Sequence, residues 1–132
     1  MDNKIPWNCS ISLRICHPTL NPHLVTQLLE FEPTIADAPG LSRVPFGECK
    51  SAGYWCGTFK AEYPDRPTVL FEWLEALVSS HENAIQKLLN DGCDIYAYVG
   101  IHTNVLATGF DLPQTPTVSR LQLRVGIEFF SR

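Results

Sequence analysis

Residues 10–34 read SISLRICHPTLNPHLVTQLLEFEPT, an alternating run that passes into a short, well-punctuated helix signal. One residue further back, Cys9 joins Ile11, Leu13 and Ile15 on odd positions, with Ser10, Ser12 and Arg14 between them. A period of two sends successive side chains to opposite faces, so this is a strand with one dry face and one wetter face. Such alternation suits an antiparallel or mixed sheet covered on one side only. Asn21 then offers a side-chain N-cap, and Pro22 fits the first helical position, where the amide it lacks would have no partner. Leu24, Leu28 and Phe31, joined by Val25 and Leu29, give the apolar stripe, and Pro33 ends the turn. The stretch contains no recognisable catalytic device.

Downstream, residues 33–53 carry Pro33, Pro39, Pro45, Gly40, Gly47 and Gly53 without sustained periodicity. A connection this long without structure of its own is uncommon in a compact domain, and reads as a functional loop, a disordered one or a subunit contact. Residues 54–60 form a second strand with aromatic side chains on both faces. A helical region opens at Asp65-Arg66-Pro67-Thr68, with Leu70, Trp73, Leu74 and Leu77 on one face. Ser79 and Glu82 have capping-box spacing, which predicts a break and a second helix ending at Asn90-Asp91-Gly92. A single kinked helix is the alternative.

Residues 93–103 are the clearest central strand, with Ile95, Ala97, Val99 and Ile101 on one face and Asp94, Tyr96, Tyr98 and His102 on the other. Residues 105–111 are expected to pair with it after a turn at Thr103-Asn104. Thr115-Pro116 repeats the cap-and-proline signal and opens a short helix through Arg124. Gly126 then turns the chain into a last strand over residues 127–130. Strands and helices interspersed over a short chain imply an α+β fold. The expected form is a two-layer sandwich: a mostly antiparallel or mixed sheet of about five strands, with helices packed on one face.

The 132 residues suit one domain spanning residues 1–132 with a single core. Hydrophobic residues make up 45% and charged residues 18%, which excludes a disordered chain. A net charge of −4 argues against nucleic acid as a partner, since its binders present a basic face. The opening MDNKIPWNCS lacks the apolar core of a signal peptide, and Glu72 and Glu75 interrupt the apolar stretch over residues 69–78. No membrane partner is therefore expected, and the expected location is cytoplasmic. Cys9, Cys16, Cys49, Cys56 and Cys93 are odd in number and form no CxxC pair, so free, partly buried thiols are expected rather than a disulfide framework.

These segments together resemble the bacterial domain of unknown function 4279 family. The residues that carry the likeness are SISLRI in the first strand, the LNPHLVTQLLEFEPT helix and Tyr54-Trp55 at the start of the second strand. LFEWLEAL, LLNDGCDIYAYVG and the late LRVGIEFF add to it. A departure lies at Gly47-Glu48, where the family often has Gly-Asp. The resemblance implies a stand-alone α+β domain with no established activity, and it supplies no catalytic residues.

Candidate chemistry is sparse. Cys16-His17, His23, Cys49 and Cys56 do not form the close ligand pairs of a structural zinc site, and adjacent strand residues point apart. No metal and no cofactor is expected. Cys56 and His102 invite a nucleophile–base pair with Asp94 or Asp111 nearby, but no nucleophile motif enforces their meeting. Gly40, Gly47 and Gly53 are too widely spread for a phosphate loop.

What remains is a surface. Tyr96, Tyr98 and His102 point away from the expected helix layer, with Arg14 and Glu128 on the same face. Tyrosine with arginine is the composition that binding surfaces favour. The bland alternative is that the loop over residues 33–53 covers this face. The leading expectation is a non-enzymatic protein-interaction module, of the immunity type that binds and occludes a partner protein, using Arg14, Trp55, Tyr96, Tyr98 and His102. The alternative is a small-ligand binder or enzyme with a pocket between loop and sheet, using Cys56, His102 or Tyr98. A homodimer through the open face is a third expectation.

Overall fold

The computed structural model describes residues 6–40, 53–104 and 110–131. Five strands and four helices follow in the order β1 (Trp7–His17), α1 (Pro22–Leu29), β2 (Ile35–Asp37), β3 (Gly53–Glu62), α2 (Thr68–Ser80), α3 (Glu82–Asn90), β4 (Asp94–Thr103), α4 (Pro116–Arg120) and β5 (Arg124–Ser131). They form one mixed sheet with strand order β2-β3-β1-β4-β5. All neighbours are antiparallel except β4 and β5. The fold is the expected α+β class, and β1 lies at the centre of its sheet.

The alternation of β1 builds the main core. Ile11, Leu13 and Ile15 are fully buried, and the register sets Phe59, Gly57 and Trp55 of β3 on one side of them and Val99, Ala97 and Ile95 of β4 on the other. Leu70, Leu74 and Val78 of α2, Ile85 of α3 and Val25 and Leu29 of α1 close the same core. Helices on one face thus leave the even positions of β1 on a face that carries none of the four.

Several local readings are corrected. The buried positions of α1 are Pro22, Val25 and Leu29, while Leu24 is 44% exposed. Leu28 and Phe31 also pack against the core, so of the expected stripe only Leu24 turns to solvent. The break between α2 and α3 falls at His81, but no capping box forms: Ser79 Oγ donates to the Ala76 carbonyl instead. Within the stretch read as structureless, residues 35–37 pair with β3 as an edge strand, too short to show a period. α4 stops at Arg120, and Arg124 already belongs to β5. The reversal between them uses Gln122 in the left-handed region (φ 57°), not Gly126, which lies inside the strand. The strand expected over residues 105–111 falls largely outside the described residues; Phe110 and Asp111 are not in a strand. No described helix is long and apolar enough to cross a membrane.

Candidate functional site

The open face, the side of the sheet that carries none of the described helices, is laid out by register, row by row. Arg14 of β1 lies between Cys56 of β3 and Tyr96 of β4, and Tyr96 in turn is opposite Arg124 of β5. The next row toward one end holds Asp37, Tyr54, Cys16 and Asp94. Toward the other end come Thr58, Ser12, Tyr98 and Gly126, then Lys60, Ser10, Gly100 and Glu128, then Glu62, Asn8, His102 and Phe130. Large aromatic and cationic groups therefore gather at one end, small side chains run through the middle, and His102 marks the far end.

At the crowded end a cavity of about 410 Å³ is lined by Arg14, Cys16, Tyr54, Asp94, Tyr96, Tyr98, Arg124 and Glu128. The Arg14 guanidinium lies 4.8 Å from the Tyr98 ring centroid, and that of Arg124 lies 5.2 Å from the Tyr96 centroid. Cation–π attraction of this kind contributes about 0.5–1 kcal/mol at exposed positions and fixes where each cation sits. Arg124 also donates to Asp94 at 2.9 Å. The Tyr98 hydroxyl donates to Glu128; burial, followed by the Glu128 charge, pushes the phenol above its ordinary range. Tyr54 is raised as well, chiefly by burial. It is only 2% exposed and packs with Cys16, Cys56 and Ile35 in a small second cluster on this face. Both tyrosine hydroxyls stay protonated at neutral pH, so they serve as donors and flat contact area, not as bases.

Gly126 makes the Tyr96 position possible. A Cβ at that residue would collide with the Tyr96 hydroxyl, so only glycine lets the ring lie across β5. The pattern reading missed Arg124 by assigning it to a helix end. Its parallel pairing with Tyr96 is a non-local fact that no window around residue 124 contains.

Of the residues singled out from sequence, Arg14, Tyr96 and Tyr98 are brought together, and Glu128 joins them. His102 shares their face but lies at the opposite end, stacked on Phe130 at 4.7 Å. It lines a separate groove of about 580 Å³ with Asn8, Ser10, Lys60 and Glu62. Trp55 is not on this face. It is fully buried in the helix-side core, where its indole Nε1 donates to Thr26 Oγ1 at 3.0 Å. The strand had aromatics on both sides, and register, not composition, decides that Tyr54 faces outward from the helices and Trp55 toward them.

Cys56 and His102 do not form a nucleophile–base pair. On β1 they are opposite Arg14 and Asn8, six residues apart, which is about 20 Å along the strand. The free-thiol expectation applies to Cys9, Cys56 and Cys93, all buried. Cys16 departs from it and is disulfide-bonded, while Cys49 lies outside the described residues. Burial pushes the Cys9 thiol up to about 11 and raises Cys93 too, so neither is a ready nucleophile. Among the described residues, no three His, Cys, Asp or Glu side chains group as a metal site.

No curated protein matches this chain, and no solved structure does. Over residues 7–129 the sequence matches the family model described as a domain of unknown function, DUF4279. That match spans the sheet from the first residue of β1 to all but the end of β5, and the chain belongs to this family.

Proposed function

We propose that the chain is a non-enzymatic protein-interaction module that holds a partner protein on the sheet face that no described helix covers. The observation that carries this reading is the gathering of Arg14, Tyr96, Tyr98 and Arg124 around one cavity by three neighbouring strands. Tyrosine and arginine supply the anchors of most interfaces: large, rigid contact area, with donors held in place before the partner arrives. An ion pair, Arg124 with Asp94, and a hydrogen bond, Tyr98 to Glu128, keep the anchors oriented. An immunity-type role in the bacterial cytoplasm, in which this face occludes a toxin, is the form of the proposal that fits a small acidic chain.

The test is calorimetric titration of the protein with the purified products of neighbouring genes. Tyr98→Ala and Arg14→Ala are expected to weaken binding of a true partner by at least about tenfold, as anchor residues do. No binding to any neighbouring product, or full binding by both variants, would refute the assignment.

A second reading is favoured by the cavity itself. Its volume of about 410 Å³ falls within the size range of small-molecule sites. A flat ligand carrying a carboxylate would lie between the tyrosine rings and meet an arginine. Thermal-shift screening against small organic acids separates the readings: a ligand that raises the melting temperature of the wild type, and not of Arg124→Ala, supports the small-molecule role.

A further inference from the structure

The two edges of the sheet are unlike. At one edge β2 pairs over only three residues, which leaves little strand to recruit a neighbour. At the other, β5 runs for eight residues and has no neighbour on its outer side among the described residues. It carries no proline, no lysine and no inward-facing charge, the devices by which exposed edges are ordinarily blunted. Ile127 and Phe129 share the register of Val99 and Ile101, so they point to the helix side of the sheet. They are nonetheless 38% and 56% exposed.

The geometry points to β5 pairing antiparallel with β5 of a second copy, joining the two sheets into one of ten strands. A two-fold axis perpendicular to a sheet must pass midway between a residue and its own copy, which allows only a few registers. With the axis at Gly126, Arg124 is opposite Glu128 of the second copy on the open face. On the helix side, Val125 then meets Ile127, and Phe129 comes beside Leu123, the residue that precedes β5. Within β5, apolar meets apolar and plus meets minus on either side of the glycine pair, over residues 124–128. Moving the axis to Ile127 sets Gly126 against Glu128 and Arg124 against Phe130; moving it to Glu128 sets two carboxylates against each other. Cross-strand pairs of opposite charge stabilise and like charges destabilise, so the chain's own charges select the Gly126 register. The glycine that admits the Tyr96 ring also removes any side chain at the dyad.

The consequence reaches the open face. Arg124 lines the cavity of its own chain, and in this register the second copy sets Glu128 beside it. Two cavities lie side by side across the dyad, on one continuous face.

The test is the molar mass in solution by light scattering after size exclusion, at concentrations up to about 1 mM, where even weak pairs assemble. The expected mass is twice that of the chain. Ile127→Lys with Phe129→Lys is expected to give monomers with unchanged circular dichroism and melting. Arg124→Glu alone and Glu128→Arg alone each weaken association by about tenfold, since two symmetry-related pairs become repulsive. The double reversal restores it. A wild type that stays monomeric overturns the proposal, as does a dimer indifferent to the lysine substitutions. A double reversal that fails to restore pairing overturns it as well. A dimer lost on Tyr98→Arg but not on edge substitution would mean pairing through the open face instead. None of these outcomes depends on which partner the cavity holds.

Discussion

Glu75 of α2 caps α4 from a distance: its Oε1 accepts hydrogen bonds from the backbone amides of Thr117 at 3.0 Å and Val118 at 3.1 Å, with Oε2 3.1 Å from the Thr117 amide. Thr115, the residue whose hydroxyl was expected to cap this helix, makes no such bond. A five-residue helix has little stability of its own, so a carboxylate reaching in from the longest helix ties it to the core.

Glu75→Ala is therefore predicted to cost about 1–2 kcal/mol, the value of a charged cap that leaves partly buried amides unpaired. Burial raises the Glu75 pKa, but hydrogen bonds from Thr117 and Val118, with Arg120 nearby, outweigh it and hold the group below its ordinary 4.5. A carboxylate depressed in the folded state stabilises fully above 4.5, and that contribution disappears as pH falls through the lowered value. Urea midpoints of wild type and variant should differ at pH 7 and converge at the acid end. Equal midpoints at pH 7 would show that the cap contributes nothing.

Gly126 and Gly100 make a matched pair on the open face. Gly126→Ala drives a Cβ into the Tyr96 hydroxyl, whereas at Gly100 the nearest atoms, from Phe130 and Tyr98, are at ordinary contact distances of 3.6 and 3.7 Å. Gly126→Ala is predicted to destabilise by about 1–3 kcal/mol, as overpacking does, and Gly100→Ala to be close to neutral. Removing the hydroxyl with Tyr96→Phe should recover part of the loss, a coupling readable in a double-mutant cycle. Strict additivity would mean that the ring moves aside freely.

The Trp55 indole offers a third measurement. Its donor reaches Thr26 Oγ1, which in turn donates to the Pro22 carbonyl at 3.3 Å. Thr26→Val keeps the shape and removes the acceptor, so a fully buried N–H is left without a partner. The expected cost is about 1–3 kcal/mol, seen as a lower denaturant midpoint at unchanged slope. Ser at this position should recover most of it; if Val is tolerated as well as Ser, the bond is dispensable.

Cys9 is 3% exposed, with its thiol pushed up to about 11 by burial. Alkylation with iodoacetamide at pH 8 is expected to spare it in the folded protein and modify it fully in denaturant. Rapid modification under native conditions would mean that β1 and β3 separate locally.

What was readable from the residues alone followed from distance along the chain. Ile11, Leu13 and Ile15 declare their face because strand period is a local property, and the same holds for Ile95, Ala97, Val99 and Ile101. Trp55 was misplaced because Tyr54 and Trp55 are both aromatic, and only pairing with Cys16 and Ile15 decides which of them turns outward. Arg124 escaped notice because its significance lies opposite Tyr96, 28 positions earlier. The Glu75 cap spans 42 positions and replaces a local signal that looked complete at Thr115-Pro116. The cavity thus joins residues that were individually visible, Arg14, Tyr96 and Tyr98, to one that was not, Arg124, through pairings remote in sequence.

The position of β1 has a consequence for how the protein comes into being. The earliest strand in the described chain is the middle strand of the finished sheet, flanked by β3 and β4. Trp7 finds its β4 partner only at Thr103. A ribosome making this chain must hold an apolar strand without its second neighbour until β4 has emerged. Contacts this remote also mean slow closure, since the chain loses loop entropy before the pairing compensates it. During that interval the α1 segment, whose Val25 and Leu29 end up in the same core, is the nearest apolar surface available to shelter β1.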